Sequence, residues 1–139
     1  MRSILSPIVV VVASLFAATP ARAEAKKVDL GEVSAAPKAD ATVVPLLRTT
    51  TESELRTLDL RGATKDAVLS ISLVRLETDG AHVTCVVSAT LRTKSGGSIF
   101  AILEGRAVAS AGTTLETARS ASVRGAVHGA VGRIPEALK

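Results

Sequence analysis

Three runs of alternating apolar and polar residues between Asp66 and Ser110 constrain the fold most strongly. Their apolar sets are Leu69, Ile71 and Leu73; then Val83, Cys85, Val87, Ala89 and Leu91; then Ile99, Ala101, Leu103, Gly105 and Ala107. Successive side chains of a strand point to opposite faces of a sheet, so this alternation is typical of strands with one buried face. Because turn residues separate the runs, the sequence predicts a three-stranded antiparallel meander.

The connection between the first two runs sets their register. A three-residue loop, Thr78–Gly80, places Leu73 opposite Cys85 and puts its glycine in the left-handed conformation that this loop type favours. A loop one residue shorter would place Leu73 opposite Val86, because one residue of slip turns every side chain to the other face. Only the three-residue loop aligns the two apolar sets, so we predict that loop.

The second connection, Ser95–Gly97, predicts the same geometry, with its last glycine in the left-handed conformation. This register places Leu91 opposite Ala101 and Ala89 opposite Leu103. Both hairpins then share one buried face.

A long helix is predicted after the meander, from about Thr114 to Gly132. Thr113 and Glu116 have the spacing of a capping box, in which two side chains satisfy otherwise unpaired backbone donors. The apolar stripe comprises Val123, Ala126, Val127, Ala130, Val131 and Ile134. This periodicity predicts a helix that lies across the meander, and we expect Pro135 to end it.

Two weaker elements precede the meander. Ala41–Leu47 is apolar but contains Pro45, which cannot donate to a sheet ladder, so this segment is an edge strand at most. Thr51 and Glu54 form a second capping box, which predicts a short helix over Glu52–Leu58. The predicted fold class is therefore α+β: a meander of three strands, or four if the edge strand joins it, with a short helix and a long C-terminal helix packed on one sheet face.

The first 23 residues have the three parts of a secretory signal peptide. Arg2 supplies the positive start, Ile4–Ala18 the apolar centre and Ala21–Ala23 the small-residue cleavage site, so we expect cleavage between Ala23 and Glu24. The apolar centre has 15 residues, whereas a membrane-spanning helix needs about 20. An uncleaved anchor is thus the weaker interpretation, and no stable membrane insertion is expected after cleavage.

The rest of the chain divides into a flexible lead-in over residues 24–41 and a single α+β domain over residues 42–139. The lead-in is rich in alanine, lysine and acidic residues. The signal contains two of the seventeen basic residues, so its removal lowers the net charge from +4 to +2. Nucleic-acid binders carry clustered basic faces or stacking aromatic residues. Phe100 is the only aromatic residue after the signal, so we expect no nucleic-acid binding.

The residues that could carry chemistry do not form a site. His82 and Cys85 are three residues apart on a predicted strand and so point to opposite faces. Cys85 belongs to a buried set, where a free thiol is usually inert. His128 has no carboxylate three or four residues away on its helix. Since no hydrolase, metal or nucleotide motif is present either, we expect no catalytic residue, metal or cofactor.

Three glycines of the long helix, Gly125, Gly129 and Gly132, call for an explanation, because glycine destabilises a helix interior by about 1 kcal/mol relative to alanine. One interpretation is close approach of the helix to small residues of the sheet, such as Gly105 and Ala107. The alternative is self-association of two copies through Gly125 and Gly129, since small residues let two helices approach closely.

One group of apolar residues lies on the sheet face that the long helix leaves free. It comprises Val86, Phe100, Ile102 and Val108. Several large apolar side chains on a solvated face would form a patch. We therefore predict that these residues contact a partner, unless the N-terminal elements cover them.

The order of elements over Thr42–Ile134 resembles the β-α-β-β-β-α arrangement of small bacterial envelope accessory proteins. Examples are the lipopolysaccharide-assembly protein LptE and the small domains of envelope activator lipoproteins; this chain lacks their lipobox cysteine. The resemblance implies a non-enzymatic protein, periplasmic or extracellular, that binds another envelope protein. Two alternatives remain open: a small secreted inhibitor or ligand-binding module that uses the loops Thr78–Gly80 and Lys94–Gly97, and an enzyme of uncharacterised activity.

Overall fold

The computed structural model describes residues 27–36, 39–110, 112 and 114–139. The signal peptide, the expected cleavage site at Ala23 and Glu24, and Thr113 of the predicted capping box lie outside these residues. The elements are β1 (Val28–Ala35), α1 (Val43–Thr57), β2 (Ala67–Asp79), β3 (His82–Thr93), β4 (Ile99–Ser110), α2 (Leu115–Val131) and α3 (Ile134–Ala137).

The four strands form one mixed sheet in the order β1-β2-β3-β4. Strands β2, β3 and β4 are antiparallel neighbours, as predicted, whereas β1 pairs parallel to β2. A parallel pair needs a crossover connection, and α1 lies within it. The α+β class is confirmed. The sheet does have a fourth strand, but this strand is β1, which is parallel to β2, and not the predicted edge segment Ala41–Leu47.

Strand β1 corrects the expectation of a flexible lead-in, because it occupies residues inside the segment 24–41. Val28 pairs with Ala67 and Leu30 with Leu69; the register then shifts before Val33. Val28 and Val33 are buried in the core. Val28 and Val33 therefore pack on the helix-covered side of the sheet, although the composition of residues 24–41 as a whole suggested a flexible segment.

Helix α1 replaces both the edge strand predicted at Ala41–Leu47 and the short helix predicted at Glu52–Leu58. Pro45 is the third residue of the helix, within the first turn, where a backbone N–H has no intrahelical acceptor and proline is tolerated. Thr51 is not a cap but a buried residue in the middle of the helix, and its hydroxyl donates to the Leu47 carbonyl at 2.7 Å.

The β2–β3 hairpin has a different register from the prediction but the same buried face. Asp79 pairs with His82, so the connection has two residues, and Leu73 pairs with Val87 rather than Cys85. A register shift between Leu73 and Arg75 adds one residue to β2. The shorter turn alone would reverse the faces, and the bulge restores them. Gly80, with φ +60, is left-handed as predicted.

The β3–β4 hairpin confirms its predicted register. Leu91 pairs with Ala101 and Ala89 with Leu103, and Gly97 has φ +71. The register shifts only beyond this point, between the Leu91 and Arg92 pairs.

Helix α2 begins after Thr114, whose side chain accepts a hydrogen bond from the Thr117 backbone N–H at 3.0 Å. All six residues of the predicted apolar stripe are fully buried, which confirms the interpretation of α2 as the cover of the sheet. Pro135 lies in the first turn of the short helix α3. Beyond it, the Leu138 carbonyl accepts from the backbone N–H groups of Thr64 and Lys65, which ties the C-terminus to the start of β2.

Close approach of α2 to the sheet explains part of its glycine content. At Gly105 of β4 an added Cβ would collide with the backbone of Ala126 and lie 2.7 Å from the Ala130 nitrogen. A Cβ at Gly125 would lie 2.8 Å from that of Ala107. The predicted contact between the helix and small residues of β4 is therefore present.

Candidate partner-binding surface

The two faces of the sheet differ in what covers them. Both α1 and α2 contribute their buried residues to one core with the inward side chains of all four strands; we call this side the helix face. The opposite side, the open face, carries no helix in the described part of the chain. On its three antiparallel strands it includes Val68, Ser70, Ser72, Arg75, Glu77, Thr84, Val86, Ser88, Thr90, Arg92, Ile102, Glu104, Arg106 and Val108.

The four residues predicted to contact a partner do not form one uniform patch. Ile102 and Val108 lie on the open face of β4 and are 67% and 55% exposed. Val86 lies on the same face of β3 but is only 8% exposed. Its neighbours on the adjacent strands are Arg75 and Arg106, whose long stems can cover an apolar side chain while their charged ends stay in water.

Phe100 is separated from the other three. It lies at the register shift of the β3–β4 pair, is partly buried and packs against the core. The Lys65 ammonium lies 5.3 Å from the centre of its ring, within the range of a cation–π contact. Phe100 therefore belongs to the packing at the start of β4 more than to the open face.

The open face is polar between its apolar residues. Hydroxyl groups of serine and threonine occupy its centre, and the Arg92 guanidinium donates to the Ser70 hydroxyl at 3.3 Å. Glu104 and Arg106 are both exposed on β4, between Ile102 and Val108. The edge of the open face thus presents one apolar residue at each end and a pair of opposite charges in the middle.

Cys85 and His82 behave as predicted from strand geometry. Cys85 is fully buried on the helix face, and burial raises the pKa of its thiol to about 11. Thiolate is the nucleophilic and metal-binding form, so this residue is unsuited to either role near neutral pH. His82 is exposed beside the turn.

One contact of the second histidine could not be seen in the sequence. His128 Nδ1 lies 2.7 Å from Glu54 Oε1, so α2 and α1 are joined by a histidine–carboxylate pair. The histidine side chain is 76% exposed, and its carboxylate partner lies on the other helix, as the absence of one on its own helix requires. Because Glu54 is far away in sequence, no periodic signal connects the two residues.

Several other site types were tested against the described residues. Within these ranges no group of three histidine, cysteine or acidic residues could hold a metal ion. None of the helices described is both long and apolar enough to cross a membrane. The two hairpin loops of the inhibitor alternative join consecutive antiparallel strands and so lie at opposite ends of the sheet, where they cannot contact one ligand together.

A groove of about 360 Å³ lies between β1 and α1. Apolar side chains of Val28, Leu30 and Leu55 line it, together with charged groups that include Glu52 and Arg56. The groove contains none of the residues that the sequence analysis singled out.

Comparisons with known proteins identify a shared fold. No protein-family model matches the chain, and no curated protein matches it. A DUF330-family protein from Xanthomonas campestris superposes with a TM-score of 0.53 at 17% sequence identity, covering 77% of this chain and 80% of that one.

Two further solved structures are less similar. A candidate lipoprotein from Caulobacter crescentus gives a TM-score of 0.47 at 16% identity, covering 81% of this chain and 88% of that one. A PelC dodecamer from Paraburkholderia phytofirmans gives 0.48 at 14% identity, with 78% and 88% covered. The DUF330 likeness shows the fold alone, and LptE in particular is not supported.

Proposed function

We propose that the protein is an exported, non-enzymatic accessory protein of the bacterial envelope that binds another envelope protein through the open face. The observation that carries the proposal is the exposure of Ile102 and Val108 on a face that neither α1 nor α2 covers. The signal peptide predicted over residues 1–23 supports export.

The energetic argument starts from the cost of leaving these side chains in water. Burial of an apolar side chain is worth about 1.5–3 kcal/mol, and Ile102 and Val108 forgo most of it in the isolated chain. Single exposed apolar residues are common on protein surfaces. Here, however, they lie on the same face of one strand, so a partner could bury them together.

The residues of the open face indicate which groups a partner surface should carry. Arg75 and Arg106 lie on either side of Val86, and Arg106 also lies on β4 between the exposed Ile102 and Val108. Arginine is enriched in protein interfaces and makes paired hydrogen bonds with carboxylates. Because Arg75 already forms an ion pair with Glu77 at 3.4 Å, the expected partner surface is apolar, with a carboxylate positioned to meet Arg106.

The test is recovery of a partner from an envelope extract by the processed chain. The double variant Ile102→Ser/Val108→Ser removes the exposed apolar groups, and we expect it to lower recovery of specific partners at least tenfold. Phe100 is left unchanged because it packs against the core. The matched control is Leu115→Ser, which changes a 50% exposed residue at the start of α2.

Circular dichroism and thermal unfolding should show that both proteins keep their fold. Equal recovery by the wild type and the double variant would reject the open face as the binding surface. Equal loss in the control would show that the effect is not specific to this face.

A further inference from the structure

Strand β4 is a long, unprotected edge of the sheet. It has twelve residues and is the last strand in the order. Among the described residues, the only backbone hydrogen bond to β4 from outside the sheet ladder is the one that the Ser110 carbonyl accepts from Gly112. An exposed row of backbone donors and acceptors is a template for pairing with another strand, and natural edges are often protected by lysine, proline or bulges.

The two edges of the sheet differ in this protection. Strand β1 has eight residues, an interrupted register and two exposed acidic residues, Asp29 and Glu32. Strand β4 has its own register shift at Phe100, near its start, but beyond that point it is regular; it contains neither lysine nor proline, and its two charges, Glu104 and Arg106, have opposite signs. The exposed charges of the β1 edge are thus both acidic, although Asp29 forms an ion pair with Lys94 at 3.3 Å, whereas those of the β4 edge are balanced.

The sequence of β4 is complementary to itself about Gly105. When two copies of β4 run antiparallel with Gly105 opposite Gly105, each Glu104 faces Arg106 of the second copy, and each Ile102 faces Val108 of the second copy. On the helix face, Leu103 meets Ala107 of the second copy. Opposite charges and apolar residues directly across an antiparallel pair each stabilise it, whereas like charges destabilise it.

The backbone permits this register. The two members of each pair are an even number of residues apart along β4, so their backbone N–H and C=O groups point to the same side of the strand. Both members of a pair therefore either face the second copy or face away from it together. The arrangement has two-fold symmetry, which is the commonest symmetry of protein dimers.

We propose that two copies of this protein pair along β4 in this register and form one continuous eight-stranded sheet. The inference goes beyond the proposed function and does not depend on it, because it concerns the purified protein alone. It also places the pairs of Ile102 and Val108 side by side at the centre of a doubled open face.

Helix α2 presents small residues on the side where the second copy would lie. Gly125 and Gly129 are exposed, and their closest approaches to the sheet are to Ala107 and Gly105 of β4. These glycines therefore lie on the β4 side of α2, whereas α1 packs on the other side. In the dimer the two α2 helices lie next to each other on the helix face, and flanks without large side chains let them approach closely.

The first experiment reverses single charges in the full processed chain and measures mass by sedimentation velocity. Wild type is expected to dimerise with rising concentration. Glu104→Arg or Arg106→Glu places like charges opposite each other twice per dimer and should raise the dimer Kd by about tenfold or more. An equimolar mixture of the two variants restores opposite charges across the interface, so it should dimerise like wild type.

The double variant Glu104→Arg/Arg106→Glu is the internal control, because it exchanges the charges and keeps every cross-strand pair complementary. It should dimerise like wild type. A monomer at every concentration would overturn the proposal, and so would a dimer whose affinity ignores the single reversals. In either case the pull-down with Ile102→Ser/Val108→Ser would still test the proposed function, provided that the mass of that variant is measured as well.

The second experiment tests the register with disulfides. Under mild oxidation, a mixture of Ile102→Cys and Val108→Cys chains should give cross-linked dimers, because directly opposite residues have Cα separations that a disulfide can span. A mixture of Ile102→Cys with Ser110→Cys lies two residues out of register, leaves Glu104 and Arg106 unchanged, and should cross-link at least fivefold less. Cys85 is fully buried and does not compete. Equal cross-linking of the two mixtures would overturn the register.

Discussion

Strands β3 and β4 are adjacent and have opposite distributions of side-chain size. The helix face of β3 carries Cys85, Val87, Ala89 and Leu91, all fully buried, and its open face carries mostly hydroxyl groups. On β4 the helix face is built mainly of small residues, Ala101, Leu103, Gly105 and Ala107, while Ile102 and Val108 point outward. The difference shows that β3 fills the core with large side chains, whereas the small residues of β4 let α2 approach the sheet closely.

The position of α2 explains this difference. The helix lies so close to β4 that the backbone of Ala126 occupies the space of a side chain at Gly105. Large residues on the helix face of β4 would push the helix away from β3 and expose its apolar stripe. Since β4 is also an edge strand, its large residues can point outward and serve an interface.

The largest effect is expected where this proximity is greatest. Gly105→Val replaces glycine with a residue that strands favour, so local propensity predicts a gain in stability. Packing predicts the opposite, because the added Cβ collides with the backbone of Ala126 and overpacking of a core typically costs about 1–3 kcal/mol and sometimes more. We expect the free energy of unfolding in urea to fall by about 3 kcal/mol or more.

The control for this substitution is Gly62→Ala, since no atom lies within 4 Å of an added Cβ there. That change should alter stability by about 0.5 kcal/mol or less. If Gly105→Val were as mild as the control, α2 would have to move away easily, and the contrast between the two strands would lose its physical basis.

The sequence predicted the parts of the fold that have long, regular patterns. The alternation in β2, β3 and β4 and the stripe of α2 each repeat several times, so a single irregularity could not hide them. The register predicted for the first hairpin was wrong because the turn is one residue shorter than predicted and a bulge beside Val74 compensates for the difference. Both solutions bury the same residues, and the hydrophobic pattern cannot distinguish them.

The predictions for the N-terminal elements were wrong for a different reason. Pro45 was interpreted as a break in an edge strand, although a proline in the first turn is compatible with a helix. Four of the eight residues of β1 are apolar, but the register shift between Leu30 and Val33 breaks their alternation, so the pairing with β2 defines the strand. A strand of this kind forms because of its contacts with the rest of the fold, and the composition of the segment alone does not reveal those contacts.

The candidate surface, like the fold, could be predicted only in part from the sequence. Strand parity placed Ile102 and Val108 correctly on the open face. The burial of Val86 depends on the arginines of two neighbouring strands, and the position of Phe100 depends on a register shift. The pair of His128 and Glu54 depends on the packing of α1 against α2. None of these contacts follows from spacing along one element.

The second prediction uses pH to measure burial on β3. Burial raises the pKa of the Cys85 thiol from 9.0 to about 11. Between these values the unfolded chain has lost a proton that the folded chain still binds, so stability falls as the pH rises through this window. Below about pH 9 the thiol is protonated in both states and contributes no pH dependence.

Urea unfolding of wild type and Cys85→Ala from about pH 8 to pH 11 isolates this contribution. The stability advantage of wild type over the variant should shrink by about 2 kcal/mol across the window. Adding Ile102→Cys to the Cys85→Ala chain places a thiol on the exposed side of β4, where no such pH dependence is expected. A constant difference between wild type and Cys85→Ala would show that the thiol of β3 is accessible to water.

The smallest effect compares two neighbouring valines of β3 that point to opposite faces. Val87 is fully buried on the helix face, and Val86 is 8% exposed on the open face, where its paired neighbours are Arg75 and Arg106. Truncation to alanine should cost about 2 kcal/mol at Val87 and about 1 kcal/mol at Val86, because the flexible arginine stems can close over the space that Val86 leaves. Urea unfolding of the two single variants measures this difference directly. Equal costs would mean that the open face is packed as firmly as the core, and a surface packed in that way has no need of a partner to cover it.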